Sequence, residues 1–161
     1  MDINLTGKRA IVCGSTQGIG RATALELASL GASVTLVARN EESLQRVKSE
    51  LSSTKGQQHS TIAVDFNVPQ MLKERIEKCL RESGSVHILV NNSGGPKGGP
   101  IVDAELHEFV STFSQHLLCN HILAQAVIPG MKEARYGRIV NIISTSVKQP
   151  IPGLGVSNAV R

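Results

Sequence analysis

Aromatic side chains are scarce in this chain of 161 residues, which contains three Phe, one Tyr and no Trp. The core must therefore be aliphatic, which suits the buried Val- and Ile-rich strands of a parallel sheet. Hardly any aromatic residues lie among the scattered Lys and Arg residues, and this argues against a nucleic-acid partner. The formal net charge of +4 is a modest basic excess that suits an anionic ligand.

Long apolar runs and cysteine pairs are missing as well. No stretch reaches membrane-spanning length, and the N-terminus lacks a basic segment followed by an apolar one, so we expect neither a membrane partner nor a signal peptide. Cys13, Cys79 and Cys119 have no metal or disulfide spacing, and the histidine spacings are equally unsuited to a metal. We therefore expect reduced thiols, no metal site and a cytoplasmic location.

The sequence does contain an alternation of strand and helix patterns. The predicted strands are Arg9–Gly14, Ser33–Ala38, Ser60–Val64, Val86–Asn91 and Gly137–Ile143. Helices are predicted over residues 18–30, 41–55, 69–83 and 103–134, the last broken near Phe113 and bent or interrupted at Pro129. This order predicts an α/β fold with a doubly wound, Rossmann-type parallel sheet of five strands. No linker or repeat divides the chain, so we expect one domain over residues 1–161.

A glycine-rich turn joins the first strand to the first helix, with Gly14, Gly18 and Gly20 in the spacing Gly-x3-Gly-x-Gly. The first glycine permits a sharp turn, the second lets backbone N–H groups approach a pyrophosphate, and the third lets the helix pack closely on the strand. The positive end of the helix then faces the anion. Many βα turns carry glycines for purely steric reasons, but this one lies between a strand and a helix. We therefore predict that residues 14–20, including Ser15 and Ile19, bind a dinucleotide.

Arg39 follows the second strand, where a dinucleotide fold meets the adenosine ribose. A carboxylate there would bind the ribose hydroxyls, whereas an arginine pairs with a 2′-phosphate, so NADP(H) is favoured over NAD(H). Ser15 can add a hydroxyl donor, and the alternative for Arg39 is a solvated loop arginine.

Asp65, after the third strand, is expected either to accept a hydrogen bond from the adenine amine or to serve as an N-cap or turn residue.

The segment Asn91-Asn92-Ser93-Gly94 follows the fourth strand, beside the switch point of the sheet. Asn92, Ser93 and Gly94 are therefore expected to line the cofactor crevice, with an ordinary turn as the alternative. Three segments resemble motifs of the short-chain dehydrogenase/reductase family, particularly its 3-oxoacyl-[acyl-carrier-protein] reductase-like members. They are the glycine turn, the segment 91–94 and the stretch Gly-Arg-Ile-Val-Asn-Ile-Ile-Ser at 137–144. The motifs span almost the whole chain in the family's order.

The resemblance implies where the chemistry takes place. The family uses a Ser to hold the substrate carbonyl, a Tyr to give or take the proton, a Lys four residues later that lowers the Tyr pKa and holds the nicotinamide ribose, and a helix Asn that helps to order a relay water. By the family's spacing these positions fall on Ser144, Ser157, Arg161 and His116. Only Ser144 matches the family's residue.

The three departures bear on proton transfer. A serine hydroxyl is far less acidic than a phenol, so Ser157 cannot simply replace the tyrosine. Arg161 can hold a ribose hydroxyl or stabilise an oxyanion, but it does not give up its proton. His116 can supply a proton, since an unperturbed histidine has a pKa of about 6.5, and the alternative is a histidine packed beside the sheet.

Two functions therefore stay open. The first is NADP(H)-dependent reduction of a carbonyl, with a 3-oxoacyl thioester or similar ketone as the small-molecule substrate. The second is a catalytically degenerate nucleotide-binding protein with a sensing or assembly role, which the missing tyrosine favours. The resemblance also implies that family members continue beyond residue 161 and use the long helix before the fifth strand in a dimer face, so a homodimer or homotetramer is expected.

Overall fold

The computed structural model of the protein describes residues 3–161. The strands are β1 Arg9–Cys13, β2 Ser33–Ala38, β3 Ser60–Ala63, β4 Ile88–Asn91 and β5 Arg138–Asn141. The α-helices are α1 Gly18–Ser29, α2 Glu41–Glu50, α3 Pro69–Ser83, α4 Leu106–Phe113, α5 Cys119–Glu133 and α6 Gly155–Val160. The connections include 3₁₀ turns at Ile101–Asp103 and Thr145–Val147 and a π-helical turn at Ser114–Leu118.

The five strands form one parallel sheet in the order β3-β2-β1-β4-β5. The chain therefore winds outwards from β1 in one direction and, after β3, crosses back to β4 and continues in the other. This arrangement confirms the predicted doubly wound α/β fold. The carboxyl ends of β1 and β4 flank the switch point, which is where open sheets of this kind bind their ligands.

Apolar side chains are buried on both faces of the sheet, which explains why the strands are almost continuously hydrophobic. One core layer combines strand residues with helices α3 and α5, and its fully buried members include Ile11, Val37, Leu72, Ile76, Leu89 and Leu123. The layer on the other face combines strand residues with helices α1 and α2 and includes Val12, Ala24, Leu36, Leu44 and Val47. The core is thus aliphatic, as the scarcity of aromatic residues predicts.

Helix α2 is shorter than predicted. The Asn40 side chain caps its N-terminus by accepting a hydrogen bond of 2.7 Å from the Ser43 N–H. The helix ends at Glu50, so the prediction that it continues to residue 55 is wrong. Leu51 turns into an extended conformation (φ −72°, ψ 135°) and buries its side chain. The hydroxyl residues at 52–54 then favour local hydrogen bonds over helix.

The long helical stretch before β5 is divided where the sequence predicts a break. Helix α4 ends at Phe113, and the π turn carries the chain into α5 without a loop. Pro129, however, lies inside α5, which runs on to Glu133, so the proline does not interrupt the helix. Pro129 and Gln125 are both exposed, so water can satisfy the carbonyl group that loses its partner.

Candidate functional site

A cleft of about 750 Å³ opens at the carboxyl ends of β1, β2, β3 and β4. Its lining combines the glycine turn, the segments that follow β2, β3 and β4, and the end of α4 with the π turn. Among the predicted cofactor-binding residues it includes Gly14, Gly18, Ile19, Arg39, Asp65, Asn92, Ser93 and Gly94. Residues from four separate parts of the sequence thus meet in one concave surface at the switch point.

The glycine turn is packed closely against the segment after β4. Gly14 has a φ of +58°, and a Cβ built on it would lie 2.7 Å from both Nδ2 and the carbonyl oxygen of Asn92. A Cβ on Gly20 would overlap the carbonyl oxygen of Gly14. Gly18, with a φ of +53°, has open space around it. Steric demand therefore explains Gly14 and Gly20, whereas the open space at Gly18 is available to a ligand.

Ser15 differs from its expected role. Its side chain is fully buried, and its hydroxyl lies 3.4 Å from the Val37 carbonyl oxygen, to which it donates. The hydroxyl therefore ties the turn to β2 and does not face the cleft, contrary to the expectation that it adds a donor to a phosphate. The physical reason is that Ser15 lies directly beneath the turn, where a buried polar group needs a protein partner.

Arg39 is exposed at the rim of the cleft, immediately after β2. Within the described part of the chain, its guanidinium makes no hydrogen bond or ion pair. A bidentate donor beside the glycine turn is suited to an anionic oxygen group such as a phosphate.

Asp65 lines the cleft and also forms a turn. Its Oδ1 accepts hydrogen bonds from the backbone N–H of Asn67 at 2.9 Å and from the Asn67 side chain at 3.0 Å. Val68 is the N-cap of α3, so the N-cap alternative for Asp65 is wrong and the turn alternative is the observed one. The second oxygen of Asp65 makes no hydrogen bond to residues 3–161, so the turn does not use the whole carboxylate.

Asn92 fastens the β4 end to the glycine turn. Its Nδ2 donates to the carbonyl oxygens of Cys13 and Gly14, both at 3.3 Å. One side chain therefore satisfies two carbonyl groups of the turn and fixes the distance between the β1 and β4 ends. We infer that the Asn92 amide is a structural clamp of the cleft and is not free to bind a ligand through Nδ2.

Ser144 lies after β5, and its Oγ accepts hydrogen bonds from the backbone N–H of Ser146 at 3.1 Å and from the Ser146 hydroxyl at 2.8 Å. The Ser144 oxygen is thereby held in place while its own hydrogen remains able to donate. Ser144 does not line the cleft described above.

Ser157 lies on α6, Arg161 directly follows that helix, and the two differ in their surroundings. Ser157 is buried with 6 % exposure. Arg161 donates through Nη2 to the Ile142 carbonyl oxygen at 3.3 Å, and its Nη1 approaches Gly95. Burial lowers the pKa of Arg161 from its ordinary value. The guanidinium therefore bridges the segments that follow β4 and β5.

His116 lies in the π turn and is buried. Its Nδ1 is 2.8 Å from the Ser93 hydroxyl, and its Nε2 has no hydrogen-bond partner among the described residues. Burial and the positive charge of Arg161 lower the pKa of His116, and the backbone of Gly94 opposes this shift. The pairing of His116 with Ser93 was not predicted, because it depends on how the π turn presents its side chains, which no sequence signal encodes.

Two buried thiols lie behind the cleft. Burial, with a smaller contribution from Cys119, raises the pKa of Cys13 to about 12. Burial and the charge of Asp65 raise the pKa of Cys119 to about 11, and this thiol donates to the Phe66 carbonyl oxygen at 3.3 Å. Both thiols are therefore protonated and unreactive at neutral pH. They serve as packing groups beneath the glycine turn and the π turn.

Several polar residues of the cleft were not predicted, among them Thr16, Gln17, Asn67, Lys97, Ser111 and Gln115. Gln115 donates to Asn67 at 2.6 Å and so links the π turn to the segment before α3. Lys97 was recognisable as the one basic residue in the Gly/Pro-rich stretch 94–100. In residues 3–161 there is no cluster of metal-binding side chains and no helix that is long and apolar enough to cross a membrane.

The sequence profile of the short chain dehydrogenase family matches residues 8–159. The chain therefore belongs to the short-chain dehydrogenase family, an oxidoreductase family, and this confirms the resemblance.

Two human proteins illustrate the relationship. The chain is 35% identical over 155 residues to inactive hydroxysteroid dehydrogenase-like protein 1, covering 95% of this chain and 47% of that protein. It is 33% identical over 159 residues to very-long-chain 3-oxoacyl-CoA reductase, covering 96% of this chain and 50% of that protein. The chain thus spans about half the length of the curated relatives it matches.

The same architecture occurs in L-sorbose reductase from Gluconobacter frateurii, whose crystal structure contains NADPH and L-sorbose. The TM-score is 0.92 with 29% sequence identity, and the match covers 99% of this chain and 61% of that one. This agreement confirms the Rossmann-type fold.

Proposed function

We propose that the protein is an NADP(H)-dependent oxidoreductase that reduces a carbonyl group to an alcohol, and that residues 1–161 are its dinucleotide-binding domain. The observation that carries this proposal is the cleft in which the glycine turn and Arg39 lie together. NADPH in L-sorbose reductase, a protein of the same fold, also supports it. The three buried, free thiols fit a cytoplasmic protein.

The cleft suits a nicotinamide dinucleotide in its shape and its chemistry. Gly14 and Gly20 let the turn pack closely against Asn92 and on itself, where any Cβ would collide. Gly18 leaves open space beside the N-terminus of α1, where a phosphate can bind. When bound, the reduced cofactor supplies the hydride. The chain's own residues must then bind it, hold the carbonyl group and move one proton.

Ser144 and Arg161 have surroundings that suit the roles the family resemblance suggests. Ser144 is held through its oxygen by Ser146, so its hydrogen can be donated to a substrate carbonyl. Arg161 lies between the β4 and β5 ends and is suited to hold a ribose hydroxyl. Ser157 is buried next to this region and would need a water to pass a proton.

We propose a 3-oxoacyl thioester or similar ketone as the substrate. The similarity to very-long-chain 3-oxoacyl-CoA reductase supports this class. So does a second cleft of about 490 Å³, lined largely by apolar groups of Pro100, Ile101, Pro150 and Ile151. Purified full-length protein, assayed for NADPH oxidation with ketones that include 3-oxoacyl thioesters, tests the proposal. Oxidation of NADPH with a thioester supports it, and tight NADPH binding without turnover of any ketone refutes it.

The alternative is a degenerate nucleotide-binding protein with a sensing or assembly role. The serine at position 157, in place of the family's tyrosine, favours it, as does the relative named as an inactive dehydrogenase-like protein. In that case NADPH binding would be retained while every ketone is left unreduced. The assay with the ketone panel therefore distinguishes the two functions directly.

The preference for NADP(H) makes a prediction about Arg39. Arg39→Ala should weaken NADPH binding by roughly 10- to 100-fold, because a charge-assisted hydrogen bond contributes about 1.5–3 kcal/mol. NADH binding should change little, because NADH lacks the 2′-phosphate. Fluorescence titration of both cofactors measures the effect. Arg46→Ala, an exposed arginine of α2 outside the cleft, is the control, and equal losses for NADPH and NADH would contradict the assignment.

We also propose that the full-length protein is a homodimer or homotetramer. An apolar stripe on α4 and the π turn, made by Leu106, Val110, Phe113 and Leu117, is exposed. A second copy of the chain is the partner that the family resemblance suggests for this helix. Leu117→Glu should shift the full-length protein towards monomer in analytical ultracentrifugation, whereas Met71→Glu, an exposed site on α3, should not. A monomeric wild-type protein would refute the proposal.

A further inference from the structure

Three side chains from distant parts of the sequence meet beside the cleft. Ser93 follows β4, His116 lies in the π turn, and Arg161 directly follows α6. The Ser93 Oγ is 2.8 Å from His116 Nδ1, and Arg161 is close enough for its charge to act on the imidazole. At His116 and Arg161 the sequence departs from the residue that the family resemblance suggests. Two of the three departures therefore lie in one cluster with Ser93.

The imidazole of His116 is only half satisfied. The residue is 9 % exposed, and its Nε2 is shielded from solvent with no hydrogen-bond partner in the described part of the chain. Buried polar atoms in proteins are nearly always paired, so an unpaired one beside a candidate site requires a chemical reason. Nδ1 faces Ser93, so Nδ1 is the atom that can pass a proton towards the cleft, and Nε2 keeps its proton when it does so.

Ser93 connects this histidine to the cleft. It is one of the residues that line the cleft, whereas His116 lies behind it. When the imidazole is protonated, Nδ1–H donates to the Ser93 oxygen, and the hydroxyl hydrogen of Ser93 is free to point into the cleft. The pair therefore has the direction that is needed to pass a proton outwards.

We propose that Ser93 and His116 deliver the proton to the substrate oxygen, in place of the missing tyrosine. The proposal rests on the proposed function, whose reduced nicotinamide cofactor is the reductant. As the carbonyl carbon gains the hydride, the π electron pair moves to the oxygen, which takes the Ser93 hydroxyl proton. Ser93 takes the proton of His116 Nδ1, which leaves the ring neutral with its proton on Nε2, and after the alcohol leaves, water in the cleft returns a proton to Nδ1 through Ser93. Ser93 is the catalytic residue, and His116 acts through it.

The electrostatic surroundings fix the expected pH dependence. Burial and the charge of Arg161, directly after α6, lower the pKa of His116 below its ordinary value, and the backbone of Gly94, in the segment after β4, opposes this shift. The negative charge of Asp65, after β3, raises the pKa of the Cys119 thiol at the start of α5. The imidazolium form is present below the lowered pKa and is lost as the pH rises through it. Reduction should therefore slow with rising pH.

The test uses full-length protein, NADPH and the ketone that the assay identifies. His116→Asn and Ser93→Ala should each lower kcat by about 100-fold or more, the usual contribution of a positioned proton donor, and in His116→Asn the Kd for NADPH should stay near the wild-type value. Ser93→Thr, which keeps the hydroxyl, should restore most of the rate. The matched control is His121→Asn, an exposed histidine of α5. The fall in kcat with rising pH should disappear in His116→Asn.

A second measurement does not depend on turnover. NMR titration of the His116 ring, assigned by its loss in His116→Asn, should give a pKa below the ordinary value, and Arg161→Gln should raise it. A ring that titrates as in the wild type after Arg161→Gln refutes the cluster. Wild-type kcat in both Ser93→Ala and His116→Asn refutes the relay alone. A wild-type protein that reduces no ketone refutes the proposed function, and with it the role of Ser93.

Discussion

Gly20→Ala is expected to lower the free energy of unfolding by about 2–3 kcal/mol, the usual cost of overpacking a rigid site, and to weaken NADPH binding by roughly 100-fold, or about 2.7 kcal/mol. The added Cβ would overlap the Gly14 carbonyl oxygen and lie 2.8 Å from Asn92 Nδ2. The first obstacle is backbone, so it cannot rotate away. The turn must shift instead, and the shift displaces the N–H groups at the start of α1.

Urea denaturation and NADPH titration measure the two effects, and Gly56→Ala is the control. Gly56 has a φ of +78° and open space around it, so a Cβ there costs only the left-handed conformational penalty of about 1–2 kcal/mol. Gly56 lies outside the cleft, so its variant should bind NADPH normally. The steric explanation of the glycine turn is wrong if the NADPH affinity of Gly20→Ala equals that of Gly56→Ala.

The same contact shows why the fold could be predicted from the sequence. Each strand is short, apolar and followed by a helix, and in a parallel sheet these signals are local. Gly14 and Gly20 are explained by contacts within one βα turn and with Asn92, so the family motif already contains the geometry. The five strands and their helices were therefore predictable, with errors of a few residues at their ends.

The errors at element ends have tertiary causes. Helix α2 stops five residues early because burial of Leu51 takes the chain out of the helix. Ser15 turns inwards because it lies beneath the glycine turn, where the Val37 carbonyl is its available partner. In both cases a burial requirement outweighed the local preference of the sequence.

The candidate site was predictable only on its cofactor side. Arg39, Asp65 and Asn92 follow consecutive strands, so parallel topology brings them to one edge of the sheet. The pairing of Ser93 with His116 depends on how the π turn presents its side chains, and no periodicity of the sequence encodes that. The residues on the cofactor side are thus positioned by the sheet, whereas the pairing on the proton-transfer side depends on the packing of α4 and α5.

That packing can be tested through Leu123, which is fully buried on α5 in the same core layer as Ile76 and Leu89. Leu123→Ala should lower the free energy of unfolding by about 3 kcal/mol, because it leaves a cavity between the helix and the sheet. Leu123 does not line the cleft, so NADPH binding to the folded variant should be retained.

Met71→Ala is the matched truncation, at an apolar site on α3 that is 43% exposed. It should change the free energy of unfolding by less than about 0.5 kcal/mol, as surface substitutions usually do. Urea unfolding of both full-length variants provides the comparison. A loss for Leu123→Ala as small as that for Met71→Ala would contradict the packing described for α5, because a helix that tolerates a cavity at its centre cannot hold the π turn and His116 rigidly against Ser93.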